Sequence, residues 1–470
     1  MQDDFLAATN SKLLFEKVYD YLLHRIERKE WKENEKLPSI RQLSQELKVH
    51  RLTVFKAYQL LKEEGKVFVK DKSGYYVNPS NCQAMGHNDH PIVSSYYQKS
   101  HLAEIHRIPA VYQFSQALIE PTLLPNLYLS KYVKEVFDLY PKVLGTYSTV
   151  QGDEEFREAM ARYFIKQHRL HLRADEILIT SGAQQAIDLV SKIFVRPGDV
   201  ILMERPTYSA AIDIFSQQGA KMVPIEIYPT GYNIEQVESY MKQYKPRLFY
   251  MNPTFHNPTG YIVPSEQRKQ LVELAERYRC LLVEDDPFRD IYFDEEPPPP
   301  LFTYDTEGLV IYIRSFSKYI SPGLRICAIA CRPAIMKHLL IAKSLADNGS
   351  PLLNQKIFHH YFFSERMQKH LDKPRIALAI RKEIMEEELK NTGWEWESPK
   401  GGLNLWVQLP QCIPMEKLLA KSIEHSLSFV PGTICDPRRE FHSTIRLSYS
   451  YINEQQIRIG LQRLVALAQT

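Results

Sequence analysis

Cysteine is scarce and unclustered in this 470-residue sequence. Its six copies, Cys82, Cys280, Cys327, Cys331, Cys412 and Cys435, include no CxxC pair. That spacing argues against a zinc site and a disulfide framework, and fits a reducing compartment. No secretory leader is expected either: the stretch MQDDFLAATN is acidic rather than basic. The greasiest stretches, such as residues 339–345, are too short or too interrupted by charge to span a bilayer. These absences lead to the expectation of a cytoplasmic protein with no membrane partner and no metal. Nor is there a bulk excess of one charge. The formal net charge of +3 is too small to mark a nucleic-acid binder, so any such argument must be local. What remains is a globular composition, 44% apolar and 24% charged, at a length that calls for two or more domains.

The first pattern is helical. Leu14, Val18, Leu22 and Ile26 recur every four residues and predict an amphipathic helix over residues 12–26. Ser39, with Gln42 three positions on, reads as a capping box opening a second helix, with Leu43 and Leu47 inward. Lys48-Val49-His50 breaks the chain. A third helix over residues 51–64 turns Val54, Tyr58 and Leu61 to one side and leaves Arg51, Thr53 and Lys56 on others. Gly65 stops it, and residues 66–70 and 75–77 read as a hairpin around Asp71–Gly74. Three helices and a hairpin make a winged helix-turn-helix. Between Lys48 and Lys72 there are seven Lys or Arg against three acidic residues, an excess of four against three for the whole chain. Phosphate attraction depends on such local surplus. Arg51, Thr53 and Lys56 are therefore candidates for the major groove, and Lys70 or Lys72 for the neighbouring backbone.

The stretch LPSIRQLSQELKVHRLTVFKAYQLLKEEGKVFVKDKSGYYV resembles the winged-helix domain of GntR-type bacterial regulators. The resemblance implies double-stranded operator DNA as a partner, with Arg41, Arg51 and the wing around Gly74 at the DNA surface. The family usually has glycines in the turn before LPS, whereas this chain has Glu30-Trp31-Lys32-Glu33-Asn34.

Residues 79–108, with Pro, Asn, Gln, Ser and four histidines, read as a linker, which sets the expected domains at 1–78 and 109–470. Beyond it, strand-like runs such as 176–180, 200–203, 247–251, 281–283, 310–313 and 324–330 alternate with helical segments such as 184–194 and 265–278. The expected fold is α/β with a mostly parallel sheet. Strands at 403–407 and 444–448 suggest a smaller α+β lobe.

Chemistry concentrates in SFSKYISPGLR, residues 315–325. A lysine condenses with an aldehyde only as the neutral amine, which cationic neighbours and desolvation favour. Lys318 is the candidate; Arg325 can return to grip a phosphate, with Ser315 and Ser317 as further donors. Ser181-Gly182-Ala183-Gln184 follows a strand and opens a helix, offering backbone N–H groups to an anion. Asn257 sits in a proline-bounded loop. Strand 281–283 ends in Glu284-Asp285-Asp286, of which Asp285 is assigned to a pyridine nitrogen; Glu284 and Asp286 fit capping or arginine pairing as well. Tyr208 can stack on a ring or fill a core.

Taken in order, Tyr147, Gly152, Ser181–Gln184, Tyr208, Asn257, Asp285, Lys318, Arg325 and Arg446 resemble the stations of fold-type I aminotransferases, from about Val111 to the C-terminus. Behind a GntR-like domain, they resemble the MocR subfamily. The resemblance implies pyridoxal 5'-phosphate (PLP) carried on Lys318 as the catalytic residue, with Asp285 at the pyridine nitrogen, Asn257 at the phenolic oxygen and Arg325 at the phosphate. It implies Tyr208, Ala183, Gln184, Ser315 and Ser317 as further cofactor contacts. Arg446 would bind the carboxylate of an amino-compound effector, and Tyr147 would reach the phosphate across a head-to-tail homodimer. One departure stands out. The family's cofactor-facing tyrosine, three or two positions beyond the aspartate, is Phe288 or Pro287 here, and neither has a hydroxyl. The expected function is PLP-dependent transcriptional regulation by a small amine. An active aminotransferase and a PLP-independent DNA-binding dimer stand as alternatives.

Overall fold

The computed structural model describes residues 14–28, 30–32, 34–63, 66–70, 74–78, 101–124 and 126–469. The chain divides into two compact units, Met1–Tyr97 and Gln98–Thr470.

In the first unit, α1 (Leu14–Glu27), α2 (Ile40–Glu46) and α3 (Arg51–Glu63) precede an antiparallel hairpin of β1 (Val67–Lys70) and β2 (Gly74–Val77). Val18 and Leu22 of the four-residue stripe are buried with Leu43, Val54, Tyr58, Leu61, Val67 and Val77. The capping box forms: Gln42 N donates to Ser39 Oγ at 3.2 Å, and Ser39 N donates to Gln42 Oε1 at 3.0 Å. The glycine-poor turn is accommodated by Asn34, whose φ of 63° is left-handed. Asparagine tolerates that conformation because its short amide can bond locally. Lys72 and the helix stop at Gly65 lie outside the described residues.

The expected linker ends early. Residues 79–100 lie outside the described set, but α4 (His101–His106) belongs to the large unit, burying Leu102 and Ile105 against Val430, Ile434 and Cys435. Six helical residues are too few to register as periodicity in a sequence.

After β3 (Tyr112–Gln113) come the strands of an eight-stranded sheet: β4 (Ile177–Thr180), β5 (Val200–Arg205), β6 (Lys221–Tyr228), β7 (Gly231–Tyr232), β8 (Leu248–Met251), β9 (Leu281–Asp286), β10 (Val310–Ser315) and β11 (Cys327–Ala330). Their order is β4-β11-β10-β9-β8-β5-β6-β7. The run from β10 through β6 is parallel, and β11 and β7 are antiparallel to their neighbours. The central strands β8 and β10 are buried at every position, as a sheet covered on both faces requires. Sequence patterning misses β6, where lysine, proline and glutamate dilute the apolar signal. It also overextends β11, which begins at Cys327 because Arg325 takes a left-handed φ of 55°. The smaller lobe is a sheet of order β12-β13-β16-β15, from β12 (Glu395–Trp396), β13 (Asn404–Gln408), β15 (Val430–Pro431) and β16 (Thr444–Ser448); β14 (Leu427–Ser428) pairs with β3. Among the described residues, no helix is long and apolar enough to cross a membrane.

Candidate functional site

Loops leaving the carboxyl ends of β4, β5, β8 and β10 converge on one cavity, the usual place for a ligand in an open α/β sheet. It encloses about 240 Å³, and Ala183, Gln184, Tyr208, Asn257, Ser315, Ser317, Lys318, Arg325 and Arg446 all line it. Asp285 stands beside it at the end of β9, 3% exposed. Tyr147 does not line it and is 87% exposed.

One end of the cavity is built for an anion. Helix α5 (Ala183–Phe194) starts behind Gly182, and its first-turn N–H groups have no partner within the helix. Arg325 reaches back across the chain and donates from Nη2 to Ser181 O at 3.0 Å. Gln184 Nε2 donates to the Tyr208 hydroxyl at 3.3 Å, which ties the helix start to the ring of Tyr208.

At the centre is Lys318, whose amine is lowered to about 8 by burial first, then by Arg446 and Arg325, with Asp285 opposing. Its neighbour Tyr319 is anchored: the Tyr319 hydroxyl donates to Asp290, which also accepts from Arg314 Nη2 at 2.7 Å. This buried network fixes the loop from which Lys318 projects. Asp285 is pushed up to about 7, chiefly by burial and further by Asp286 and Glu204, while a hydrogen bond from Tyr250 and the charge of Lys318 pull it down. The Tyr250 hydroxyl donates to Asp285 Oδ2 at 2.7 Å. Asn252 links both sides of the site, donating through its amide to Asp285 O and accepting from Asn257 N at 2.6 Å. The flanking acids are engaged elsewhere: Glu284 faces Arg268 at 3.6 Å, and Asp286 accepts from the Tyr312 hydroxyl at 2.8 Å. Asp285 is the one whose charge couples to Lys318.

The other end holds Arg446 on β16, 2% exposed. It donates to Ser115 O and weakly to Asn257 Oδ1 at 3.5 Å, and no carboxylate pairs with it among the described residues. His106 of α4 meets the same carbonyl, Ser115 O, at 3.1 Å. Because a carbonyl only accepts, Nε2 carries the hydrogen there. The imidazole is lowered to about 4, by burial foremost and then Arg446 and Lys318, so it is neutral.

Buried polar atoms are ordinarily paired. Here Asp285 Oδ1, Ser317 Oγ and Arg446 Nε are buried without a hydrogen-bond partner. An unpaired carboxylate oxygen suits a protonated ring nitrogen, and an unpaired hydroxyl and guanidinium N–H suit anionic oxygens. With a near-neutral lysine between them and a helix start alongside, the donor set fits PLP and a carboxylate-bearing amine.

The family model of class I and II aminotransferases matches residues 133–464. The chain belongs to this family. Residues 14–77 match the bacterial regulatory proteins of the gntR family, so the whole is a MocR-like fusion of a winged helix-turn-helix domain with a fold-type I aminotransferase domain. A relative that it matches along nearly the full length of both chains is the uncharacterized HTH-type transcriptional regulator YisV of Bacillus subtilis, 29% identical over 96% of this chain and 94% of that one. An aromatic-amino-acid aminotransferase from Thermococcus litoralis is 32% identical over 75% of this chain and 87% of its own length. Among solved structures, the α-aminoadipate aminotransferase LysN of Thermus thermophilus, complexed with N-(5'-phosphopyridoxyl)-L-leucine, superposes with a TM-score of 0.74 at 30% identity, covering 80% of the fusion and 96% of LysN.

Sequence reading overlooked Tyr250, Asn252, Asn404 and His106. Asn404 Nδ2 donates to Asn257 Oδ1 at 3.4 Å from β13, across 147 positions of sequence. No local pattern signals such a contact. Asn252, first residue after a strand and followed by proline, carried a signal that Asn257 absorbed. In the N-terminal unit, Arg41, Arg51, Lys56 and Lys70 are exposed, and Thr53 and Gly74 are half-buried.

Proposed function

We propose that this chain is a transcriptional regulator that binds operator DNA through its winged helix-turn-helix, carries PLP on Lys318, and responds to a small amino compound. The observation that carries the reading is a buried Arg446 with an unpartnered Nε across one cavity from a lysine whose amine is lowered to about 8, in a chain that also has a GntR-type domain. When bound, PLP supplies an aldehyde for which primary amines compete and a ring that takes up electrons from bonds at the amine-bearing carbon. Lys318 is the attachment residue, kept partly neutral near physiological pH. Arg325, the start of α5, Ser315 and Ser317 hold the phosphate. Asp285, oriented by the Tyr250 hydroxyl, faces the ring nitrogen, and Tyr208 covers the ring. Asn257 is fixed by Asn252 to meet the phenolic oxygen. Arg446 takes the carboxylate of the amino compound. Tyr147, exposed in its own protomer, serves the site of a partner in a head-to-tail homodimer.

Sensing is favoured over turnover by Phe288, 1% exposed, and Pro287, which put no hydroxyl where the family usually has one. Amino transfer remains the second reading, because the other residues of the site fit it. A footprint on DNA upstream of the chain's own coding sequence, with and without PLP and a panel of amino compounds, tests the first reading. Protection that shifts with one amine supports it. Stoichiometric keto-acid production with an amine-independent footprint favours the second.

A further inference from the structure

Helix α3 carries two large apolar side chains in the open. Leu52 is 56% and Phe55 40% exposed, while Val54, Ala57, Tyr58 and Leu61 on the inward face are fully buried. A single exposed apolar residue needs no explanation. Two of them in the first turn and a half of a basic helix do. Arg51 and Lys56 are exposed beside them, Lys48 is exposed just before, and no acidic residue occurs from Val49 to Lys62. The helix start is fixed as well, since Leu52 N donates to His50 Nδ1 at 3.2 Å.

When a helix-turn-helix docks, the N-terminal residues of its second helix meet base edges in the major groove. Only thymine presents a methyl group there, and apolar side chains are its natural contact. A surface that is cationic at its edges and apolar at its centre therefore matches a thymine-containing groove between phosphates. A second copy of the same face is a poor occupant, because two-fold pairing would set Arg51 of one copy against Lys56 of the other, cation against cation. We propose that Leu52 and Phe55 are specificity residues that read thymine C5-methyl groups in each operator half-site, with Arg51 and Lys56 on the flanking phosphates. The proposal rests on the DNA-binding reading above and deepens it.

The test uses the full chain with PLP and duplexes selected from a random pool. Each selected site is remade with uracil for thymine, which removes only the methyl group. Every contacted thymine so replaced is expected to weaken binding about fourfold, the value of one buried methyl-sized group. Phe55→Ala and, separately, Leu52→Ala should weaken binding to the thymine duplex and abolish the thymine–uracil difference at one position each. Both residues are exposed, so folding of the variants is expected, and a circular dichroism melt verifies it. Equal affinity of the unmodified chain for thymine and uracil duplexes overturns the inference while leaving DNA binding intact. So does a Phe55→Ala variant with unchanged DNA affinity but altered self-association, which makes the patch a protein contact. Failure to enrich any duplex overturns the DNA-binding reading itself.

Discussion

Gly182 and Arg325 are so closely apposed that a Cβ at Gly182 would stand 2.2 Å from Arg325 Nη2. Gly182 also has a φ of 104°, a backbone conformation that L side chains rarely adopt. The glycine thus lets the guanidinium lie against the helix start, where the proposed reading puts the phosphate. Gly182→Ala is expected to displace Arg325 and weaken PLP binding by roughly ten- to hundredfold, the loss of one charge-assisted hydrogen bond. Titration of apo-protein with PLP, followed by the cofactor's absorbance, measures it. Unchanged affinity would mean that Arg325 does not hold the phosphate.

On the proposed reading, the amine of Lys318 sets the pH dependence of cofactor capture. Lowered to about 8 by burial, Arg446 and Arg325, it is protonated and unreactive below that pH and neutral above it. The rate of PLP attachment should therefore rise about tenfold per pH unit up to roughly 8 and then level off. Stopped-flow absorbance between about pH 6 and 9.5 gives the profile. Borohydride reduction should leave a pyridoxyl group on Lys318, and the Lys318→Ala variant should carry none.

Arg446 should separate amino acids from simple amines. Arg446→Gln removes the charge that faces an effector carboxylate, and the response to carboxylate-bearing amines is expected to weaken roughly ten- to hundredfold. Amines without a carboxylate should lose only what Arg446 contributes by lowering the Lys318 amine, so the preference within matched pairs should fall by that factor. Spectral titration with matched pairs of amines, with and without the carboxylate, reads the difference.

Phe288 offers a way to move the protein toward turnover. Phe288→Tyr places a hydroxyl at the position where the family usually has one, and keto-acid production is expected to rise at least about tenfold. Single-turnover and steady-state assays on the two forms give the ratio. An unaltered rate would show that the missing hydroxyl does not limit catalysis in this chain.

How legible the site was follows from where its parts lie. Lys318, Arg325, Ser315 and Ser317 share one stretch of eleven residues and could be read together. Asp285 was singled out from three consecutive acids, and its two neighbours face Arg268 and Arg289, the arginine pairing expected as their alternative. What escaped was buried support. Tyr250 is one of several apolar-looking positions on an interior strand, and only the fold turns its hydroxyl to Asp285. His106 escaped because its helix is six residues long and lies in a polar stretch that resembles a tether. The elements of the N-terminal unit were legible because their caps and apolar spacings are local, down to the reciprocal bonds of Ser39 and Gln42.

Helix α4 lies before the expected start of the large domain at residue 109, yet it walls the chamber. Its residues Leu102, Ala103 and His106 form part of that wall, and the helix belongs to the unit that starts at Gln98. A protein trimmed at residue 97 keeps its chamber closed on that side, whereas one trimmed at residue 108 has lost a wall. Amine selectivities measured on the two fragments would describe different rooms.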